Sequence, residues 1–404
     1  MKKIICITCS LLMLMSFAAC AQEPATNPQA TTEPQTTVAP TEPTFDPTGE
    51  TTPEEELPIV PQSMVSVVMP MQNEAIKDED GNVLLNYNTQ YMILSVAEQE
   101  IADRITIEFL NRIDETVATK DSILSSAEIA FTDSSNWIPY QYTISYSPKR
   151  IDNGVMSLLG CDVSYLGAHI DKVYHSVNYS MTTGHNLSLP NIITNSTQTD
   201  NLCQLVIDTL AESKDQFSLH EDFEDTVRQH FSSSINDAWF FSANGLCFFF
   251  SPYDIAPYSA GVVIAEIPYE KLIGILKDDY FPAEQANAPG TLSIKEYTED
   301  NLDTFTRCTE LTLDADKGKF LLYTDKFVHD IAISVGTLST NGMFLEECSV
   351  YALSSLARGD AIEVAADLSD SRALQVTYYS GDQLYSEIIV LNNNTAQAEF
   401  YTNQ

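Results

Sequence analysis

Nine prolines fall between Ala21 and Pro61, scattered among Thr and Glu, and neither Lys nor Arg accompanies them. A segment with so little apolar surface cannot offset the entropy lost on ordering, so residues 20–62 are expected to form a disordered, extended tether. At roughly 3.1 Å per residue in polyproline geometry, ~40 residues reach on the order of 100 Å. Cores are therefore expected only beyond this stretch, and a chain of 404 residues, 44% of them hydrophobic, can hold two ordinary domains.

Before the tether, Met1-Lys2-Lys3 is a basic start, Ile4 to Leu14 is apolar, and Ser16-Phe17-Ala18-Ala19 leads in small residues to Cys20. This resembles a lipobox, with Phe17 where Leu is usual. Residues 1–19 are thus expected to be a cleaved lipoprotein signal peptide, with Cys20 carrying the lipid. The apolar stretch is too short for a permanent span, and no later run approaches ~20 apolar residues. The expected location is the outer face of the cytoplasmic membrane, with the lipid on Cys20 as the membrane attachment and the rest of the chain extracytoplasmic.

Acidic residues number 57 against 20 basic ones, for a formal charge of −37 and a pI near 4.2. No basic stripe exists to neutralise phosphates, which argues against a nucleic-acid partner. Such a field attracts cationic proteins or metal ions, or simply keeps the chain dispersed outside the cell. Cys6 and Cys9 leave with the signal, so past Cys20 there remain Cys161, Cys203, Cys247, Cys308 and Cys348. Their odd number and wide spacing indicate neither a zinc site nor a disulfide-dense scaffold. Cys308 and Cys348 either bridge or stay as free thiols.

Periodicity predicts an α+β region over 63–284, an antiparallel sheet with packed helices divided into modules at about 63–180 and 181–284. Val65, Val67 and Val68 lead towards a turn at Asp78-Glu79-Asp80-Gly81-Asn82, from which Val83 to Tyr87 return as a strand; the turn reads as a hairpin rather than a calcium loop. Ile101, Ile105, Phe109 and Ile113 recur at i+4 and predict a helix from about Val96. Strands are predicted at Tyr140 to Tyr146, Val155 to Leu166 and Lys172 to Met181, with a turn at Thr182 to Asn186. Leu202, Leu205, Val206, Thr209 and Leu210 predict a second helix, and Phe223, Val227, His230 and Phe231 a third. Trp239 to Phe250 read as an aromatic hairpin about Asn244-Gly245, followed by a strand at Gly261 to Ile267. Over 285–404 the pattern becomes all strand, in eight short runs from Thr291 to Leu391, which favours a β-sandwich-like domain.

A search for chemistry returns mostly exclusions. No two glycines lie two apart, so a G-x-G-x-x-G phosphate loop is impossible, and there is no G-x-S-x-G, S-x-x-K or H-E-x-x-H. His220-Glu221-Asp222-Phe223-Glu224 is half a zincin signature, with Glu224 where the second His belongs. Neither a cofactor nor a metal is expected. Of His169, Asp171, His175 and His185, the first two would share a strand face about 6.6 Å apart, whereas His175 would lie roughly 20 Å from His169. His169 and Asp171 are either a small metal or ligand site or structural groups in a turn. The run Ser251-Pro252-Tyr253-Asp254-Ile255-Ala256-Pro257-Tyr258-Ser259-Ala260-Gly261 is too Pro-rich for a strand and too apolar for an idle loop. Tyr253, Asp254 and Tyr258 either form a recognition surface or plug the core. Arg358-Gly359-Asp360 reads as a chance tripeptide at a strand end.

Leu166-Gly167-Ala168-His169, Met181-Thr182-Thr183-Gly184 with Leu187-Ser188-Leu189, and above all Phe248-Phe249-Phe250 with the run from Ser251 to Gly261 give residues of about 64–275 a family resemblance. They resemble the paired extracytoplasmic domains, of unknown function as a family, found in lysozyme-sensing anti-sigma-V factors and as accessory modules of some peptidoglycan deacetylases. Leu166 stands where the first glycine is usual, and Ile170 where a proline is. The resemblance implies an α/β fold of antiparallel sheet and helices whose task is binding, and in the sensing relatives the ligand is lysozyme, a basic protein. Neither a cytoplasmic segment with a spanning helix nor a deacetylase domain is expected here, so signalling by that route is not. The expected function is a surface-tethered lipoprotein binding a cationic wall hydrolase such as lysozyme, or a cell-wall glycan. The alternative is a wall-acting hydrolase with a metal or acid/base site near His169 and Asp171.

Overall fold

A computed structural model describes residues 64–132, 135–167, 170–232, 238–283, 288–314, 318–392 and 397–401. The signal, Cys20, the tether and His169 lie outside the described residues. The first half of the chain runs β1 (Ser66–Val68), β2 (Met71–Lys77), β3 (Val83–Gln90), β4 (Ile93–Ser95), α1 (Gln99–Glu115), α2 (Val117–Ala130), β5 (Tyr140–Ile151), β6 (Val155–Tyr165) and β7 (Ile170–Ser180). There follow α3 (Leu189–Ile192), α4 (Ser196–Glu212), α5 (Lys214–Phe217), α6 (Phe223–Ser232), β8 (Trp239–Phe241), β9 (Gly245–Phe250) and β10 (Val263–Pro268). The end of the chain adds β11 (Leu292–Glu296), α7 (Glu299–Leu302), β12 (Arg307–Thr312), β13 (Lys319–Thr324), β14 (Phe327–Leu338) and β15 (Phe344–Ala357). Last come β16 (Asp360–Ala365), β17 (Arg372–Ser380), β18 (Gln383–Leu391) and β19 (Ala398–Phe400). The protein is thus α+β, with antiparallel sheets, few helices and a largely β C-terminal region.

Local sequence accounts for most of these elements. Asp78 Oδ1 accepts the N–H groups of Asp80 and Asn82 at 3.0 and 2.8 Å, its Oδ2 accepts Asn82 Nδ2, and Gly81 takes φ +88°. That carboxylate closes a hairpin, and the Asn82 amide is the main influence holding its pKa below the usual range. Helix α1 buries Ile101, Ile105, Phe109 and Ile113 along one face. It starts at Gln99 instead of near Val96 because Ile93–Ser95 is taken up as β4. Helix α2 carries a weaker signal, burying only Ile123 and Ala127. In α4 the buried face is Leu202, Cys203, Val206, Ile207 and Leu210, rotated slightly from the expected one.

Four sheets form. A five-stranded sheet runs β2-β3-β5-β6-β7, a three-stranded one β10-β9-β8, a four-stranded one β11-β13-β16-β12, and a seven-stranded one β19-β18-β17-β14-β15-β1-β4. Two pairs depart from the antiparallel expectation: β3 with β5 and β12 with β16. A parallel pair needs a long crossover, and α1 with α2 supplies it between β3 and β5. The other departure is β1. Met69-Pro70 interrupts the strand expected to run into the Asp78 hairpin, and Pro70 has no N–H for a ladder. Ser66–Val68 instead lies inside the seven-stranded sheet, Val67 opposite Ala352 on one side and Leu94 on the other.

Buried polar side chains join these sheets. Arg150, at the end of β5, is only 2% exposed. Its Nε donates to Asp152 Oδ2 at 2.6 Å, and its Nη1 donates to the Tyr269 hydroxyl and the Tyr280 carbonyl, each at 2.7 Å. Phe241 and Tyr269 present ring faces 5.5 Å from the guanidinium carbon. Burial alone would lower the Arg150 pKa, but Tyr269 and Asp152 outweigh it and hold the group charged. Next along the strand, Ile151 N–H donates to Asp330 Oδ1 at 2.9 Å. Gln90, fully buried, accepts Tyr146 N–H at 2.6 Å and donates to the carbonyls of Met69 and Ser349. Asn178 and Ser157 do the same for the three-stranded sheet, reaching Trp239 O at 3.0 Å and Phe241 N at 2.9 Å.

On the α1 face of the five-stranded sheet, His175 lies over Gly160, where any Cβ would overlap the imidazole. Its Nδ1 is 3.7 Å from Asp162 Oδ1, and its Nε2 is buried without a hydrogen-bond partner. Desolvation, reinforced by Arg112, lowers the His175 pKa to about 4. Desolvation raises that of Asp162.

Two outcomes follow from these buried groups. Arg150→Met should destabilise the protein by about 3–5 kcal/mol in urea unfolding, because it removes the countercharge of Asp152 and the donors to the Tyr269 hydroxyl and the Tyr280 carbonyl. His175 favours the neutral form when folded, so its contribution is present above pH 6.5 and is lost as pH falls through about 4. The contribution at stake is ~3 kcal/mol, opposed in part by Asp162, whose raised pKa favours the folded state on acidification. Urea midpoints between pH 7 and pH 4.5 should therefore fall less in His175→Gln than in the parent protein.

Candidate functional site

Segment 251–261 leaves β9 and returns to β10 through a turn built by its own polar groups. Asp254 Oδ2 accepts Ser251 N–H at 2.8 Å, Asp254 N–H donates to Ser251 O at 3.0 Å, and Tyr253 N–H donates to Ala256 O at 3.1 Å. Ile255 and Ala256 are the residues that close the core, and Ile255 O accepts His220 N–H at 2.9 Å. The tyrosines on either side face outward: Tyr253 is 69% and Tyr258 59% exposed, with ring centres 5.3 Å apart and planes 31° from parallel. Tyr253 sits at φ +76°, a left-handed conformation costing an L-residue roughly 1–2 kcal/mol. Strain of that kind clusters at ligand clamps and switch regions. One oxygen of the Asp254 carboxylate, Oδ2, holds the turn.

The other expected residues do not gather. Asp171 is exposed on β7, whose partner there is β6. His175 is partly buried beside Asp162, and His185 lies at the surface with its Nδ1 3.1 Å from Glu108. Among the described residues no group of three or more His, Cys, Asp or Glu comes together to hold a metal ion. Asp360 of the Arg358-Gly359-Asp360 tripeptide is buried and takes both Arg307 Nε and Nη2, at 2.8 and 2.6 Å. Cys308 and Cys348 are free thiols. Burial, with Glu347 and Glu346, pushes the Cys348 thiol up to about 11.

Sequence reasoning passed over a cavity of about 380 Å³ lined by residues of β5, the three-stranded sheet and the seven-stranded sheet. Lys149, Phe240, Cys247, Ile264, Glu266 and Tyr379 are among its walls. The available signal was Lys149-Arg150, a basic pair inside a strand of a strongly acidic chain. Lys149 is half-buried, its ammonium 5.8 Å from the centre of the Phe240 ring. Burial pushes its pKa down, against the longer-range pull of Cys247 and Glu346. A smaller cavity of about 240 Å³ has Cys161, Lys172, Tyr174, Glu346 and Cys348 in its wall. Tyr174 continues towards the tyrosine turn: its phenol pKa is raised chiefly by burial, and in part by Cys161 and Tyr258. No helix among the described residues is long and apolar enough to cross a membrane.

No curated protein matches the chain. Similar solved structures include a member of the DUF3298 family from Bacteroides fragilis NCTC 9343, 18% identical, with 53% of this chain and 94% of that one covered at a TM-score of 0.39. Another is a DUF3298 family protein from Pseudomonas aeruginosa PAO1, 19% identical, with 54% and 98% covered at a TM-score of 0.34. Residues 190–270, which carry α4 to α6, the three-stranded sheet and the Tyr253–Tyr258 turn, match the family model of a protein of unknown function, DUF3298.

Proposed function

We propose that this protein is a lipoprotein held at the outer face of the cytoplasmic membrane through a lipid on Cys20, and that its folded part binds a cationic protein, with a lysozyme-like wall hydrolase as the first case to test. The observation that carries this reading is the outward-facing Tyr253–Tyr258 pair, fixed in a strained turn on a chain of charge −37. Exposed tyrosines held rigid lose little entropy on contact, and their ring faces attract Lys and Arg side chains. The acidic field would draw a basic partner in and raise its rate of encounter. The same rings can take the flat face of a sugar, so a cell-wall glycan is the second reading. We read the two C-terminal sheets as a sandwich, on the ground that Leu322 and Val364 of one and Leu353 and Val376 of the other belong to a single buried cluster. Its role here is as a platform for the first two modules.

Retention of hen lysozyme on immobilised protein tests the main reading. Binding at low salt should weaken steeply as ionic strength rises, since the Debye length shrinks from about 10 Å at 0.1 M to about 3 Å at 1 M. Tyr253→Ser and Tyr258→Ser should each weaken it roughly tenfold or more, as loss of aromatic anchors does at protein interfaces. No retention at low salt, or retention indifferent to both substitutions, rejects the cationic-protein reading. Salt-insensitive binding of wall fragments through the same tyrosines would favour the glycan.

A further inference from the structure

The 380 Å³ cavity holds two groups of opposite charge that the fold itself leaves incompletely used. Lys149 makes no ion pair within 4 Å among the described residues, and its contact is the Phe240 ring. Glu346, one of the groups that pull on it, already accepts the Ser334 hydroxyl at 2.8 Å. An ammonium taken partly out of water with no carboxylate in contact is costly, and a ligand anion reaching it in the cavity would offset that cost. Across the lining, Glu266 is exposed, and among the described residues only its Oε1 is hydrogen-bonded, accepting Ser242 Oγ and, at 3.7 Å, the Cys247 thiol. The lining also holds Arg150 and Asp330, both already engaged within the fold, and apolar side chains: Phe240 is buried, and Ile264 and Leu384 are left 43% and 55% exposed.

We propose that this cavity binds a small zwitterion with an apolar body, a free amino acid or a dipeptide, its carboxylate on Lys149, its ammonium on Glu266 and its side chain against Phe240, Ile264 and Leu384. A simple anion fits less well, because a chain of charge −37 repels it, whereas a zwitterion carries no net charge to repel. The volume suits a ligand of this size. This site does not depend on the tyrosine turn or on the protein-binding reading above.

Calorimetric titration of the folded protein with leucine and with leucyl-leucine, each beside its N-acetylated and its C-amidated form, tests the assignment. At least one of the two zwitterions should bind, and whichever binds more tightly identifies a free amino acid or a dipeptide as the source. Each blocked form should bind at least tenfold more weakly. Lys149→Met should abolish the preference over the amide, and Glu266→Gln the preference over the N-acetyl form. In thermal melts without ligand, Lys149→Met should unfold no lower than the parent, since an isosteric apolar chain replaces an unanswered charge. The assignment is overturned if neither zwitterion binds at millimolar concentration, if blocked forms bind as tightly, or if Lys149→Met melts lower.

Discussion

A guanidinium held away from water has to be answered on every side, and Arg150 is answered from several parts of the chain at once. Asp152 supplies the countercharge, Tyr269 and the Tyr280 carbonyl take its hydrogens, and Phe241 and Tyr269 cover it with ring faces. The neighbouring backbone N–H of Ile151 reaches Asp330 of β14. The five-stranded sheet, the segment after β10 and the seven-stranded sheet therefore meet around one residue. Gln90 repeats the arrangement without a charge, joining β3, β5 and β15 through its amide. Apolar burial drives these sheets together but is non-directional; hydrogen bonds to buried groups add the directional preference that favours one packing of sheet on sheet.

The two candidate surfaces differ in kind. The tyrosine turn is exposed, and it is held by Ile255 and Ala256 being sunk into the core while Asp254 ties the turn. The Lys149 cavity is concave and mixed in polarity, and its features come from strands remote in sequence: β5, β8 to β10, β17 and β18. One suits a large partner and the other a small one.

Much of the fold is legible in the sequence where the signal is local. The strands after residue 285 stand out because Gly, Asp and Asn punctuate short β-branched and aromatic runs, and each run recurs as a strand within a few residues of where it was expected. The α1 face is legible because Ile101, Ile105, Phe109 and Ile113 repeat at one helical turn. Helix α2 is not, since Ser, Thr and Ala fill half of it and only Ile123 and Ala127 are buried. The parallel pairing of β3 with β5 and of β12 with β16 leaves no mark on either strand, because side-chain alternation is the same for both directions. At the candidate sites, the outward tyrosines could be singled out from Pro-rich apolar composition, but not told from core plugs. Lys149 and Arg150 look alike in sequence; only the strands packed around them decide that one is paired and the other is not.

Strand β1 is three residues long, yet it is hydrogen-bonded on both edges, to β15 and to β4. Val65 and Ser354 are joined twice more, backbone to side chain and backbone to backbone. A pull delivered through the chain ahead of Met64 and directed along this strand would load those bonds together, in shear, rather than parting them one after another as in an unzipping hairpin. The point where the folded body takes up any such tension is thus its mechanically resistant one. The grip comes from β15, almost 290 residues further along, so the body is not secured against pulling until nearly the whole chain has folded.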